Sequence, residues 1–168
     1  MSKVKILLKK CRTFIELDNG LKIKYVKTFI YTGGARAFIL FVPFNKLRKR
    51  MGKVKEESSE EVDINTYREA RNVSEIVSIV SRHTPWESKC LVQALAAQKL
   101  LKEKEISTTL YLGVKKDKNN NMLAHAWLRC GRYYVTGGAN KDGYAVVAKF
   151  SNWRLYNRLI YKFKTIIK

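Results

Sequence analysis

The sequence contains few of the residues that build disulfide frameworks and metal sites. Its 168 residues include only three cysteines, Cys11, Cys90 and Cys130, and two histidines. An odd number of widely spaced cysteines, with no Cys-x-x-Cys pair, does not make a disulfide scaffold and predicts free thiols. A zinc site would need an unusual ligand set, so the sequence predicts neither a metal nor another cofactor.

Long apolar runs are also missing. The longest is AFILFVPF at residues 37–44, far below the ~20 residues that a membrane-spanning helix needs. The N-terminal stretch MSKVKILLKKCRTF is basic but has only a three-residue apolar run, which is not the pattern of a secretory signal. Together with the cysteine pattern, these absences predict a reduced, cytoplasmic protein.

Acidic residues are scarce relative to basic ones. The chain has 34 Lys plus Arg against 14 Asp plus Glu, for a formal net charge of +20. Such an excess indicates contact with nucleic acid, a lipid surface or an acidic peptide, unless much of it is simply solvated helix surface. No nucleic-acid-binding motif is present, so we expect no specific nucleic acid partner, whereas peripheral contact with a membrane or another anionic surface stays open.

The length predicts one main domain, and the order of helical and strand-like segments predicts an α+β fold. Apolar residues recur with helical spacing up to residue 101, and β-forming stretches follow. Pro43 is expected to end or kink the first helical region. The predicted organisation is an N-terminal helical region (1–51), a polar linker or mobile loop (52–65), an enzyme core (66–150) and a basic amphipathic C-terminal helix (151–168).

Cys90 lies in a predicted helix within the stretch TPWESKCLVQALAAQKLL, residues 84–101. If Thr84 caps this helix with Pro85 at its first position, Cys90 lies more than one turn inside. If Ser88 is the cap, Cys90 lies in the first turn, where free N–H groups and the helix dipole favour a thiolate. The sequence leaves both alternatives open, and in the second Thr84 and Pro85 can close a separate short turn.

His125 lies in the strand-like stretch AHAWLRC, between two alanines that leave room around an imidazole. A cysteine on a helix facing a histidine on a strand is the layout of papain-like acyl transfer, in which the imidazole takes the thiol proton. The alternative is that Cys90 is a small core side chain and His125 a structural residue.

Four ordered blocks of the sequence carry a resemblance to a known family. PWESKCLVQALAAQKLL, LYLGVKKD, AHAWLRCG and GYAVVAKF resemble the B2 protein family of lasso peptide biosynthesis, and FVPFNKLRKRMG resembles that family's N-terminal helical region. These proteins are leader peptidases that process the precursor of a threaded peptide. The resemblance implies a transglutaminase-like, papain-like fold with a Cys-His-Asp triad. Cys90 then corresponds to the nucleophile and His125 to the general acid and base.

The acidic member of that triad has no direct counterpart. Where the family has an Asp after His125, this chain has Val-Thr-Gly-Gly at residues 135–138. A regular hairpin would put Thr136 and Asn140 on the same sheet face as His125, and Asp142 follows in a loop. We take these three as candidates for the third group and favour Asp142, because only Asp142 supplies charge.

The resemblance also implies partners. They are the leader of the precursor peptide, a separate leader-recognition protein (the B1 type), and an ATP-dependent macrolactam synthetase, the lasso cyclase, that acts next. Two other functions remain as alternatives: a basic nucleic-acid-binding protein, and a transglutaminase or amidase that performs a different acyl transfer on the same fold.

Overall fold

The computed structural model describes Arg12 and residues 16–152 of the chain. Its helices and strands follow one another in the order α1 (Asn19–Phe41), α2 (Phe44–Met51), β1 (Lys53–Val54), α3 (Ile64–Ser81), α4 (Cys90–Glu103), β2 (Thr109–Lys116), β3 (Met122–Cys130), β4 (Tyr133–Thr136), a 3-10 turn (Gly138–Asn140) and β5 (Ala145–Ser151).

Local sequence signals explain where the helices begin and end. The Asp18 carboxylate caps α1 by accepting hydrogen bonds from the N–H groups of Gly20, at 2.8 Å, and Leu21, at 3.2 Å. The helix ends at Phe41 because Pro43 excludes helical geometry at Val42, which is extended at φ −118° and ψ 130°. Asp63 caps α3 in the same way as Asp18 caps α1.

The strands form one antiparallel sheet in the order β1-β5-β2-β3-β4. Helix α1 packs on α3 and α4, and α4 packs on β3 and β4. The core between helices and sheet is apolar: Leu101, Leu110 and Leu128 are completely buried, and Phe150 is 1% exposed. The α+β architecture predicted from the sequence is therefore present.

The segment predicted as a polar linker, residues 52–65, has a different role in the structure. Its first residues form the edge strand β1, which pairs with β5. Ser58 is buried, and its N–H donates to the Thr109 hydroxyl at 2.7 Å. Buried Arg129 donates to the Glu57 carboxylate and to the Ser58 carbonyl, each at 3.0 Å. The acidic residues of this stretch favoured the prediction of a solvent-exposed linker, but the Glu57 carboxylate binds Arg129 of β3.

Of the predicted C-terminal helix, residues 151–168, the structure describes only residues 151 and 152. Ser151 is the last residue of β5, and the Asn152 side chain accepts a hydrogen bond from the Thr108 N–H at 2.6 Å. The prediction of helix is therefore wrong at residue 151. Residues 153–168 lie outside the described residues, as do residues 1–11 and 13–15, which include Cys11.

Within the described residues, no helix combines the length and the apolar character that crossing a bilayer requires.

Candidate active site

Cys90 is the first residue of α4. The residue before it, Lys89, occupies the N-cap position and makes no side-chain hydrogen bond to the helix. The first backbone bond inside the helix runs from the Gln93 N–H to the Lys89 carbonyl at 3.0 Å. The N–H groups of the first turn, which includes Cys90, therefore lack helical acceptors and stabilise negative charge that develops beside them. The thiol of Cys90 is half-buried and free.

Neither of the two predicted caps holds the start of this helix. Thr84 and Ser88 instead hydrogen-bond to one another through their hydroxyls at 2.8 Å, and the Thr84 hydroxyl also donates to the Trp86 carbonyl at 3.0 Å. These bonds close a separate turn before the helix. The Gln93 amide donates back to the Ser88 carbonyl at 2.8 Å. Cys90 is consequently in the first turn of α4, although Ser88, the cap expected with that placement, does not cap the helix.

The loop that precedes Cys90 is held against α1. The Trp86 ring packs beside Phe29, with ring centroids 4.7 Å apart. It also covers Gly33, where a Cβ would come within 3.0 Å of the indole. Arg36 and Glu87 form an ion pair at 2.9 Å. The position of the helix start therefore depends on a helix that is distant in sequence.

His125 lies in β3, half-buried between two aromatic rings. Its ring centroid is 5.8 Å from that of Trp127 and 5.2 Å from that of Tyr144. Its Nε2 atom is 2.8 Å from the Gly137 carbonyl oxygen. A carbonyl oxygen only accepts hydrogen bonds, so Nε2 is the donor in this contact, and in the neutral ring Nδ1 then keeps its lone pair. The imidazole is thus held in the tautomer that a general base needs.

An irregular hairpin places the Gly137 carbonyl on the imidazole. Cys130 pairs with Tyr133, but the register then shifts by one residue so that Leu128 pairs with Thr136. Gly137 follows with φ +71°, and a Cβ there would lie 2.4 Å from the Ala126 carbonyl oxygen. The bulge and the left-handed glycine together direct a backbone carbonyl to the position where a triad usually has a side chain.

None of the three predicted orienting groups contacts His125. Asp142, the favoured candidate, has a side chain that is 87% exposed and forms an ion pair with Lys141 at 2.7 Å. Asn140 is exposed. Thr136 is 7% exposed, and its hydroxyl has no hydrogen-bond partner within the described part of the chain. The prediction of Asp142 as orienter fails because its loop carries it into solvent, and the register shift turns Thr136 away.

The structure brings the helix of Cys90 and the strand of His125 into contact without bonding the two side chains. Helix α4 packs on β3, and Ala126 and Leu128 belong to the same core as the α4 side chains. Because side chains alternate along a strand, His125 points toward the other face, where Trp127 lies. No hydrogen bond joins Cys90 and His125 among the residues described.

Sequence reasoning missed Gly137, Gln93 and the aromatic pair around His125. Gly137 carried a signal, since a Gly-Gly pair directly after a strand marks a tight turn with unusual backbone angles. No sequence signal indicated the hydrogen bond from Gln93 to Ser88 or the contact of Tyr144 with His125, because each depends on how a loop folds back.

Comparison with known proteins identifies the superfamily. The family model described as the Transglutaminase-like superfamily matches residues 38–149, more than half of the chain. The chain belongs to this superfamily, whose members are generally cysteine-based enzymes. No curated protein and no solved structure gives a significant match.

Proposed function

We propose that this protein is a cysteine peptidase that removes the leader from a ribosomally made lasso peptide precursor. The observation that carries the proposal is the location of Cys90 as the first residue of α4, in a transglutaminase-like domain whose strand β3 carries a histidine in a base-competent tautomer. The resemblance of the four sequence blocks to lasso leader peptidases supplies the substrate class.

The proposed chemistry is acyl transfer to water. The Cys90 thiolate attacks the carbonyl carbon of the scissile peptide bond, and the carbonyl oxygen becomes an oxyanion beside the free N–H groups of the first turn of α4. His125 Nδ1 takes the thiol proton and returns it to the leaving amine, which breaks the C–N bond. Water then hydrolyses the thioester and regenerates the thiol.

Proton transfer requires the His125 ring to approach the Cys90 sulfur. His125 lies on the sheet face away from α4, so this approach needs a rearrangement of the imidazole and not only the tightening of a long hydrogen bond. We propose that the substrate segment, bound between the start of α4 and β3, completes this approach. Cleavage would take place in a reducing, cytoplasmic setting, in which the thiol stays free, with a separate recognition protein presenting the leader and a lasso cyclase using the product.

The test combines the full chain, synthetic lasso precursor peptides and the recognition protein that binds each leader, with mass spectrometry as the readout. Hydrolysis gives two fragments whose summed mass exceeds that of the precursor by one water. His125→Ala should reduce the rate at least about 10³-fold, because the base is lost. Cleavage at an unchanged rate in this variant would reject the mechanism.

The second candidate is a transglutaminase or amidase reaction, which membership in the transglutaminase-like superfamily favours. The same incubation separates the two when a primary amine is added. A product that carries the amine indicates transfer, an uncut precursor in which OH replaces an amide NH2 indicates an amidase, and two fragments that together carry one added water indicate the peptidase.

A further inference from the structure

Helix α1 exposes an apolar face that the fold does not use. Positions spaced by three or four residues project from one side of an α-helix. In α1 this side lies in solvent and is apolar except for Lys27 at its edge; we call it the apolar stripe, and it consists of Ile23, Val26, Ile30, Gly34, Ala37 and Phe41. Monomeric proteins rarely expose a continuous apolar patch of this kind without using it for binding.

The degree of exposure rules out an ordinary core-facing helix side. Ile23 is 56% exposed, Ile30 59% and Phe41 82%. Leu40 and Phe44, at the bend between α1 and α2, are 58% and 52% exposed and extend the stripe. A helix of 23 residues is about 34 Å long, so the stripe is a long, narrow surface rather than a pocket.

The two helices that carry and flank the stripe have charged residues of one sign only. Between residues 19 and 51 the sequence has eight lysines and arginines and no aspartate or glutamate. Lys46, Arg48 and Lys49 on α2 are exposed, and none of these three forms an ion pair with a residue that the structure describes. Three cations of α1 differ in this respect, because Lys24, Lys27 and Arg36 form ion pairs with Glu69, Glu103 and Glu87, at 3.1, 2.9 and 2.9 Å.

We infer that α1 and α2 form a docking surface for an anionic lipid bilayer. A protein surface that exposes apolar helix residues next to cations can lie in the bilayer interface with those apolar residues among the acyl chains. The cations of α2 then meet the phosphate and carboxylate groups of anionic lipids. A nucleic acid would satisfy the cations but leave Ile30, Leu40 and Phe41 without an apolar partner, so the observations favour lipid. This inference does not depend on the peptidase reaction.

The experiment measures sedimentation of the full chain with two kinds of vesicle, pure phosphatidylcholine and a mixture with one third phosphatidylserine. We expect binding to the mixed vesicles. Ile30→Glu should weaken it at least about tenfold, because an apolar contact is replaced by a charge. Ile64→Glu is the matched control, since Ile64 is a helical isoleucine that is 60% exposed outside the stripe, and its binding should stay within about twofold of the unchanged chain.

Replacing Lys46, Arg48 and Lys49 by Gln tests the electrostatic contribution separately. Each cation near an anionic surface contributes about fivefold to binding, and this loss should disappear with neutral vesicles. Thermal unfolding checks that each variant folds. If Ile30→Glu does not fold, Phe41→Ser decides in its place, because Phe41 is the most exposed residue of the stripe.

Three results would overturn the inference. The first is equal binding of the unchanged chain to neutral and anionic vesicles, or to neither. The second is equal loss in Ile30→Glu and Ile64→Glu. The third is an Ile30→Glu variant that binds vesicles normally but loses self-association by light scattering, or loses binding to polyglutamate or duplex DNA. That result would assign the stripe to a second copy of the chain, an acidic protein or a nucleic acid.

Discussion

Cys90 and Cys130 have the same side chain but differ in backbone position and in burial. Cys90 is the first residue of a helix, half-buried, beside backbone N–H groups without helical acceptors. Cys130 is the last residue of β3 and is completely buried. Burial raises the pKa of the Cys130 thiol to about 11, although the neighbouring Arg129 charge opposes that shift.

The comparison teaches that backbone position determines which thiol is available for chemistry. A helix N-terminus offers partial positive charge and access, whereas a sheet interior offers neither. Even a guanidinium on the adjacent residue does not offset the loss of water at Cys130, in part because Arg129 points to the other sheet face, where it binds Glu57.

The largest expected effect is on catalysis. Cys90→Ala should reduce leader release at least about 10³-fold, because no other group replaces the nucleophile. Cys130→Ala should keep the rate within about twofold while lowering stability by ~1 kcal/mol, since it leaves a small cavity. Precursor cleavage by mass spectrometry and urea unfolding measure the two outcomes.

The matched pair makes the outcome decisive. Each variant removes one sulfur and nothing else. If Cys130→Ala loses activity and Cys90→Ala keeps it, the assignment of the nucleophile is reversed. If both keep activity, the reaction does not use a described thiol.

The second effect is on alkylation. In a Cys11→Ser background at pH 8, iodoacetamide should modify Cys90 at least about 100-fold faster than Cys130, because only about 0.1% of a thiol with a pKa near 11 is ionised at that pH and because Cys130 is buried. Peptide mapping over time measures both rates. Equal rates would show that the two surroundings do not differ in solution.

The third effect is on stability at alkaline pH. The unfolded Cys130 thiol ionises near pH 9 and the folded one near pH 11. Between these values the unfolded state has lost the proton and the folded state has kept it, so folding stability falls as pH rises through this window. The full loss is about 2 to 3 kcal/mol. Below pH 9 the thiol contributes no pH dependence.

Comparison with Cys130→Ala isolates this contribution from that of tyrosines and lysines, which also titrate there. The difference in unfolding free energy between the two chains should change between pH 8 and pH 11. A constant difference would mean that Cys130 is not shielded from water.

The smallest expected effect concerns the base rather than the thiols. Asp142→Ala should change the cleavage rate by less than ~2-fold, well below the ~10⁴-fold that follows neutralisation of a true triad acid, because Asp142 is solvated and bound to Lys141. Steady-state kinetics of Asp142→Ala measure this change, and the loss in His125→Ala shows how large the effect of removing the base is. A large loss in Asp142→Ala would mean that the loop closes over His125 during turnover.

Local patterns predicted most of the fold. The helix that ends before Pro43, the β3–β4 hairpin that turns at Gly131 and the helix of Cys90 are all present, because each depends on signals within a few residues. The start of α4 was not predicted. Both proposed caps, Thr84 and Ser88, bond to each other instead, a choice that depends on the contact of Trp86 with α1.

The charge excess, the α+β order of elements and the two residues proposed to react can all be read from the sequence. The group that orients His125 depends on the fold, because a one-residue register shift presents the Gly137 carbonyl in place of a carboxylate. The fold also brings residues 52–65 to the sheet through β1, Ser58 and Glu57. Helical and strand periodicities are local, whereas a bulge or an ion pair between distant segments depends on the packing of strands that meet only after the chain has folded.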